Sequence, residues 1–216
     1  MDDFTALFDQ WASSYDQTVY GSDNEYSEVF ENYDGILNTM YQLVADKRSG
    51  TILEIGTGTG NLTKLLYDTG FNVIGVEPSQ EMRRITRSKL PSIEVINGHF
   101  LQVPIARPVD AIVTSYAFHH LNLTEKRNAI EYLDRFLNKE GKIVIADTMF
   151  ESEEYKRELY KKVEASKSFA LLNDLNTEYY EYLKDVCKIF EEFDYRIHTT
   201  KMNKYVWIIA ATKGGK

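Results

Sequence analysis

The sequence predicts an α/β fold, a doubly wound and mainly parallel sheet with helices on both faces, and three observations carry that reading. From Thr51 onward, short apolar runs of strand length alternate with runs of helical period. The first of these strands enters three glycines at alternate positions and then a helix. The chain closes on two β-rich runs, 195–200 and 205–212, separated by 201–204, which read as an antiparallel hairpin.

Ahead of the sheet, Phe4, Leu7, Phe8, Trp11 and Tyr15 fall at helical spacing. Val29, Phe30, Tyr33, Ile36, Leu37 and Met40 repeat that spacing, so a second amphipathic helix is expected over 26–41. The period changes at 51–55, a short apolar strand. A helix over 61–68, ended near Gly70, and a second strand over 72–76 complete a βαβ unit. Ser79 N-caps a helix that reaches Leu90 and stops at Pro91, and 93–96 is the third strand. Pro104 and Pro108 bound a loop before a buried strand at 109–114, a helix over 124–137 and a fifth strand at 142–146. A charged helix over 152–168, with Glu and Lys at four-residue spacing, reads as solvated on one side, and another helix is expected over 177–190. Without internal repeat or linker, the chain reads as one structural domain: a helical cover or lid over 1–46 and a sheet domain over 47–216.

Composition limits the partners. The chain carries 25 Lys and Arg against 33 Asp and Glu, a formal charge of −8, and residues 1–46 hold ten of the acids and neither Lys nor Arg. With no dense basic tract, neither nucleic acid nor an anionic membrane is an expected partner. The longest wholly apolar stretch, 206–211, is far short of a bilayer span, and Met1-Asp2-Asp3 is acidic where a signal peptide is basic. Cys187 is the single cysteine, so no internal disulfide forms and a cytoplasmic location is expected.

The chemistry concentrates in Leu53-Glu-Ile-Gly-Thr-Gly-Thr-Gly-Asn61. Glycines there let a ligand lie against the backbone where the strand's carboxyl end opens a crevice. Glu77 ends the second strand 21 positions after Gly56, close to the roughly 20 at which an acid bonds a ribose diol. An adenosine-type ligand follows. The dinucleotide fingerprint wants a third glycine where Asn61 stands, and Gly60 comes one position early, which disfavours NAD and FAD.

The Glu-x-Gly-x-Gly-x-Gly turn followed by Glu77 resembles a class I S-adenosylmethionine (SAM)-dependent methyltransferase. The resemblance is strong over about residues 50–150. The opening Phe8-Asp-Gln-Trp-Ala-Ser-Ser-Tyr-Asp16 is similar to the small bacterial YrrT-like group, and the terminal hairpin matches the family's reversed last strand. The resemblance implies a Rossmann-like sheet and SAM as cofactor. It further implies that Gly56, Thr57 and Gly58 line its methionine and ribose portion, that Glu77 holds the ribose and that Glu54 faces the amino-acid end. In the family an acid commonly follows the glycine after the third strand and takes the adenine amino group; here His99 stands there, with the backbone of Phe100 beside it. Family lids are built from the N-terminal segment, which makes Tyr15 a cofactor contact.

The fourth strand ends in Thr114-Ser-Tyr-Ala-Phe-His-His-Leu121, at the sheet edge where the crevice opens, so Ser115 is a cofactor-side contact. His119 and His120 are candidate general bases on an acceptor proton; their alternative role is to position loop and helix. The four histidines and one cysteine form no recognisable metal spacing. The expected function is methyl transfer from SAM to an O, N or S nucleophile of a small-molecule acceptor. Two alternatives stay open, a non-catalytic SAM-binding protein and a nucleotide-dependent oxidoreductase. No Asn/Asp-Pro-Pro-Tyr tetrapeptide follows the fourth strand, which argues against methylation of nucleic-acid amino groups.

Overall fold

The computed structural model describes residues 8–22 and 24–214. The strands are β1 (Thr51–Ile55), β2 (Asn72–Val76), β3 (Glu94–Ile96), β4 (Val109–Ser115), β5 (Leu137–Thr148), β6 (Tyr195–Lys201) and β7 (Val206–Lys213). They form one seven-stranded sheet in the order β3-β2-β1-β4-β5-β7-β6. β1 to β5 pair in parallel, and β7 lies antiparallel between β5 and β6, the expected terminal hairpin. The helices are α1 (Tyr15–Tyr20), α2 (Tyr33–Val44), α3 (Asn61–Asp68), α4 (Gln80–Lys89), α5 (Leu123–Leu133), α6 (Glu153–Ala165), α7 (Phe169–Thr177) and α8 (Leu183–Glu192).

Side chains alternate across the sheet, and that alternation builds two cores. Ile52, Ala111, Val113, Val144 and Ala146 face a layer that includes α2, α3, α6 and α7. Leu53, Ile55, Ile112, Ile143 and Ile145 face α5 and α8. Strand order reverses between β1 and β4, so a crevice opens at their carboxyl ends. No helix among the described residues is long and apolar enough to cross a membrane.

Three helices beyond residue 22 differ from the sequence reading, each for a local reason. The helix expected over 26–41 begins only at Tyr33. Asn24 Oδ1 accepts the Tyr26 N–H at 2.9 Å while its Nδ2 donates to the Thr18 and Gly21 carbonyls, so the side chain takes over bonds a helix would make. The helix expected over 124–137 ends at Leu133: a capping box between Asn122 and Glu125 fixes its start, and the chain returns to the sheet at Leu137, paired with Val109. The last helix starts at Leu183, and α7 precedes it where no separate helix is expected. An extended segment intervenes. Its Tyr179 N–H donates to the His119 carbonyl at 3.0 Å, and the Phe150 N–H to the Glu181 carbonyl at 3.0 Å. Of the first expected helix, Phe4 and Leu7 lie outside the described residues; residues 8–11 are helical and a turn separates them from α1.

Candidate functional site

β1 delivers the chain into the glycine turn, and α3 starts at Asn61. Gly56 and Gly58 have φ of 74° and 53°, in the left-handed region that L side chains rarely enter. A Cβ on Gly56 would sit 2.7 Å from the Ala117 Cβ, whereas one on Gly58 would meet no atom within 4 Å. Packing against the turn after β4 therefore explains Gly56. Gly58 leaves its backbone open to a ligand. Its N–H donates to Glu77 Oε2 and the Ser79 N–H donates to Glu77 Oε1, both at 2.9 Å. Burial pushes the Glu77 carboxyl above its ordinary range, against the pull of those two bonds and of the Arg83 guanidinium. Each oxygen still has acceptor capacity, because a carboxylate offers about four lone-pair sites.

At the carboxyl ends of the strands lies a cavity of ≈ 420 Å³, within the roughly 300–1,000 Å³ typical of small-molecule sites. Gly56, Gly58, Glu77, His99, Phe100 and Ser115 stand on its wall. Tyr15 and His120 join them from the cover and from the turn after β4.

Three expected site residues stand elsewhere. Glu54 shares the parity of Ile52 and so faces the α2 and α3 side of the sheet. Its carboxyl is 1 % exposed, burial pushes it up to about 8, and Oε2 has no partner among the described residues. Thr57 is buried with its methyl turned toward β2, where a Cβ on Gly75 would lie 2.7 Å from Thr57 Cγ2. His119 sits behind the wall rather than on it.

His99 keeps its place in the cavity with altered chemistry. Its Nδ1 accepts the Leu101 N–H at 3.3 Å, and burial lowers its pKa, so the neutral ring carries its proton on Nε2. That nitrogen donates. The acceptor that an acid would offer to an adenine amino group is absent from this side chain. Asn97 and Gln102, also on the wall, supply amide groups on either side of His99.

The two adjacent histidines are held by different carboxylates. His119 Nδ1 lies 2.7 Å from Asp147 Oδ1, and its backbone N–H donates to Asp147 Oδ2 at 2.9 Å. His120 Nδ1 lies 3.0 Å from Glu178 Oε2. Burial disfavours the charged form of both rings. For His119 the Asp147 charge and hydrogen bond overcome it and raise the pKa, while for His120 burial and the neighbouring His119 lower it. Lys126 is buried below them, its Nζ donating to the Leu121 and Tyr179 carbonyls, and burial lowers its ammonium to about 8. The spacing of the histidines gives no hint of these partners, because Glu178 and Asp147 come from α7's exit and the end of β5. Tyr116, another wall residue, carries one local signal the sequence reading passed over: a bulky residue directly after the strand, here at φ 53°.

Comparison with known proteins agrees with this geometry. A family model for a methyltransferase domain matches residues 52–141. An uncharacterized methyltransferase of Alkaliphilus oremlandii is 61% identical over 215 residues, 100% of both chains. The uncharacterized methyltransferase YrrT of Halobacillus halophilus is 42% identical over 213 residues, 98% of each. Among solved structures, magnesium protoporphyrin IX methyltransferase from Synechocystis with bound SAH has a TM-score of 0.72 at 15% identity, over 97% of this chain and 99% of that one, a likeness of fold. With full-length identity of that order to methyltransferases, the chain belongs to the class I SAM-dependent methyltransferases, in the group that includes YrrT.

Proposed function

We propose that this methyltransferase moves the methyl group of SAM to a nucleophilic oxygen, nitrogen or sulfur of a small-molecule acceptor. The observation that carries the reading is the shared cavity: the open backbone of Gly58 and the doubly oriented carboxylate of Glu77 face one space at the reversal of strand order. These residues fit the cofactor's chemistry. Glu77 keeps lone pairs for a ribose diol, and Met82, Phe100 and Leu121 give an apolar wall for a purine.

Bound there, SAM supplies a methyl group already activated on a sulfonium. The chain's own task is alignment and the exclusion of water. Phe8 and Tyr15 close the cavity from the outside. The Phe8 ring lies 4.9 Å from that of His120 at 65°, and Tyr15 is braced by Trp11 and Phe30. In this reading the cover expected over 1–46 narrows to a lid ending near residue 22, with α2 as scaffold beneath it. Of the two adjacent histidines His120 is the one on the wall, so proton acceptance from an acceptor that needs a base falls to it rather than to His119. The lack of a dense Lys or Arg tract favours a small acceptor over a nucleic acid.

Isothermal titration tests the cofactor assignment. SAM and its demethylated product should bind, and NAD should not. Glu77→Ala should weaken SAM by about 1.5–3 kcal/mol, the scale of a hydrogen bond to a charged group. Wild-type affinity in that variant overturns the ribose role, and no SAM heat at millimolar ligand overturns the whole reading. SAM heat without transfer to a broad metabolite panel favours a binding protein over an enzyme.

A further inference from the structure

Behind His120, on one wall of the cavity, stands more ligating chemistry than methyl transfer requires. We propose that His119, His120 and Glu178 bind one divalent transition cation of the zinc class, with Asp147 as the carboxylate that orients His119. One ligand atom from each of the three lies within 4.8 Å of the other two. Two imidazoles and a carboxylate suit zinc and its neighbours, whereas calcium and magnesium take oxygen ligands.

One of the three ligand pairs stands near the spacing that a bound ion sets, and the other two lie within 4.8 Å. The 3.0 Å between His120 Nδ1 and Glu178 Oε2 approaches the roughly 3.3 Å edge of a tetrahedron with bonds of about 2.0 Å. The His119 and His120 ring centroids are 4.1 Å apart. Two imidazoles at that distance repel when both are protonated, and a single divalent ion satisfies both at once.

The surroundings match what metal-binding histidines use elsewhere. A ligating histidine commonly donates its other ring N–H to a carboxylate, which fixes tautomer and ring plane. Asp147 is that partner: it takes His119 at Nδ1, accepts the Thr148 N–H at 2.7 Å and is 2 % exposed. Glu178 is not on a loose loop, because the Tyr179 N–H donates to the His119 carbonyl at 3.0 Å and Lys126 donates to the Tyr179 carbonyl at 2.8 Å. Asp147 and Glu178 bring two carboxylates to this corner against the one Lys126 ammonium, and an arriving cation takes the place of any proton on the imidazoles. The three ligand side chains are 10–19 % exposed, enough for an ion to enter and for a water or an acceptor to fill a remaining position.

The use of the ion rests on the methyl-transfer reading. His120 stands on the cavity wall, so a cation held there would bind the acceptor's O–H or S–H and lower its pKa until the proton passes to water. The oxygen or sulfur then takes the methyl group as the sulfonium's C–S bond breaks and SAH leaves, and with the ion bound His120 is a ligand rather than the base of the ion-free site. The acceptor class is then a protic oxygen or sulfur group. Ion binding itself requires nothing from SAM.

The full chain, stripped with a chelator and dialysed, is titrated with zinc chloride by calorimetry, with and without SAM. One equivalent should bind saturably. His120→Ala should abolish that binding, Glu178→Gln should weaken it at least tenfold, and Asp147→Asn should weaken it by about 10–100-fold as a loss of ligand orientation. His198→Ala and Cys187→Ser should leave it unchanged. If circular dichroism shows His120→Ala unfolded, Glu178→Gln decides, since that side chain stands in an extended segment. No saturable zinc heat, or wild-type affinity in Glu178→Gln, overturns the site. SAM heat without zinc heat removes this inference and leaves the cofactor reading; zinc heat without SAM heat does the reverse.

Discussion

Helix α2 and the segment 8–20 come from the same acidic stretch, yet they hold to the sheet by different physics. α2 buries Ile36, Met40 and Val44 completely in the core that also takes Ile52, Leu62 and Leu66. α1 has six residues, too few to be helical alone, and buries only Val19. Carboxylates tie its end of the chain instead. Asp16 accepts from Thr59 Oγ1 at 2.6 Å, Asn61 Nδ2 at 3.2 Å and Lys89 Nζ at 2.6 Å. Asp9 accepts from the Ser79 hydroxyl and from the Glu81 N–H at 3.1 Å. Apolar burial under α2 is indifferent to ligand. The bonds of Asp9 and Asp16 end on Ser79 and Thr59, next to the groups that orient Glu77 and follow Gly58, so a ligand in the cavity acts on the anchors of one segment and not of the other.

The largest effect expected from this contrast lies in α2. Ile36→Ala should cost about 2–5 kcal/mol of unfolding free energy in urea, the range for emptying a buried aliphatic site, with SAM affinity of the remaining folded protein little changed. A loss under about 1 kcal/mol would mean that α2 is no more a part of the core than α1.

The second prediction concerns what α2 and α3 seal off. Glu54 lies beneath them with its carboxyl pushed to about 8 from the ordinary 4.5. Below pH 4.5 both folded and unfolded chains hold this proton. Between 4.5 and 8 the folded chain keeps it and the unfolded chain releases it, so stability falls as pH rises, by up to about 1.4 kcal/mol per pH unit. Glu54→Gln should therefore be more stable than wild type at pH 8, and nearly equal to it at pH 4.5. Parallel melting curves that keep the same gap at both pH values would show that Glu54 is ionised in the folded state.

What could be read from the sequence follows the distance over which each feature is built. The glycine turn and Glu77 lie within a single βαβ unit, and backbone conformation together with one carboxylate makes the site, so local chemistry reveals it. The side that Glu54 faces is set by strand parity, which the glycine motif does not spell out: with Leu53 and Ile55 in the core of α5 and α8, Glu54 faces the α2 and α3 side. The start of α2 was invisible because a single side chain, Asn24, competes for the backbone bonds of the turn. Leu171 and Leu175 mark α7 at helical spacing, but a helix of nine residues beside a charged one is easily merged with it. Glu178 and Asp147 reach the histidines across 58 and 28 residues, a meeting that no spacing rule describes.

The smallest effect on stability, and the sharpest test of the contrast, belongs to the anchors of the lid. Asp16→Asn keeps the size of the side chain and removes its charge toward the partly exposed Lys89, so it should change unfolding free energy by under about 1 kcal/mol, as exposed ion pairs do. Its effect on exchange should be larger. In wild type, SAM in the cavity should slow amide exchange over residues 8–20, because Tyr15 and Phe8 gain a surface to close on. Exchange in α2 should be slow with or without ligand, because its protection comes from the core. Asp16→Asn should speed exchange over 8–20 in the ligand-free protein, leave α2 as it was and weaken SAM several-fold, since part of the binding energy then goes to ordering the segment. Equal and ligand-independent protection of the two segments would make 8–20 permanent packing, and the distinction between lid and scaffold would fall.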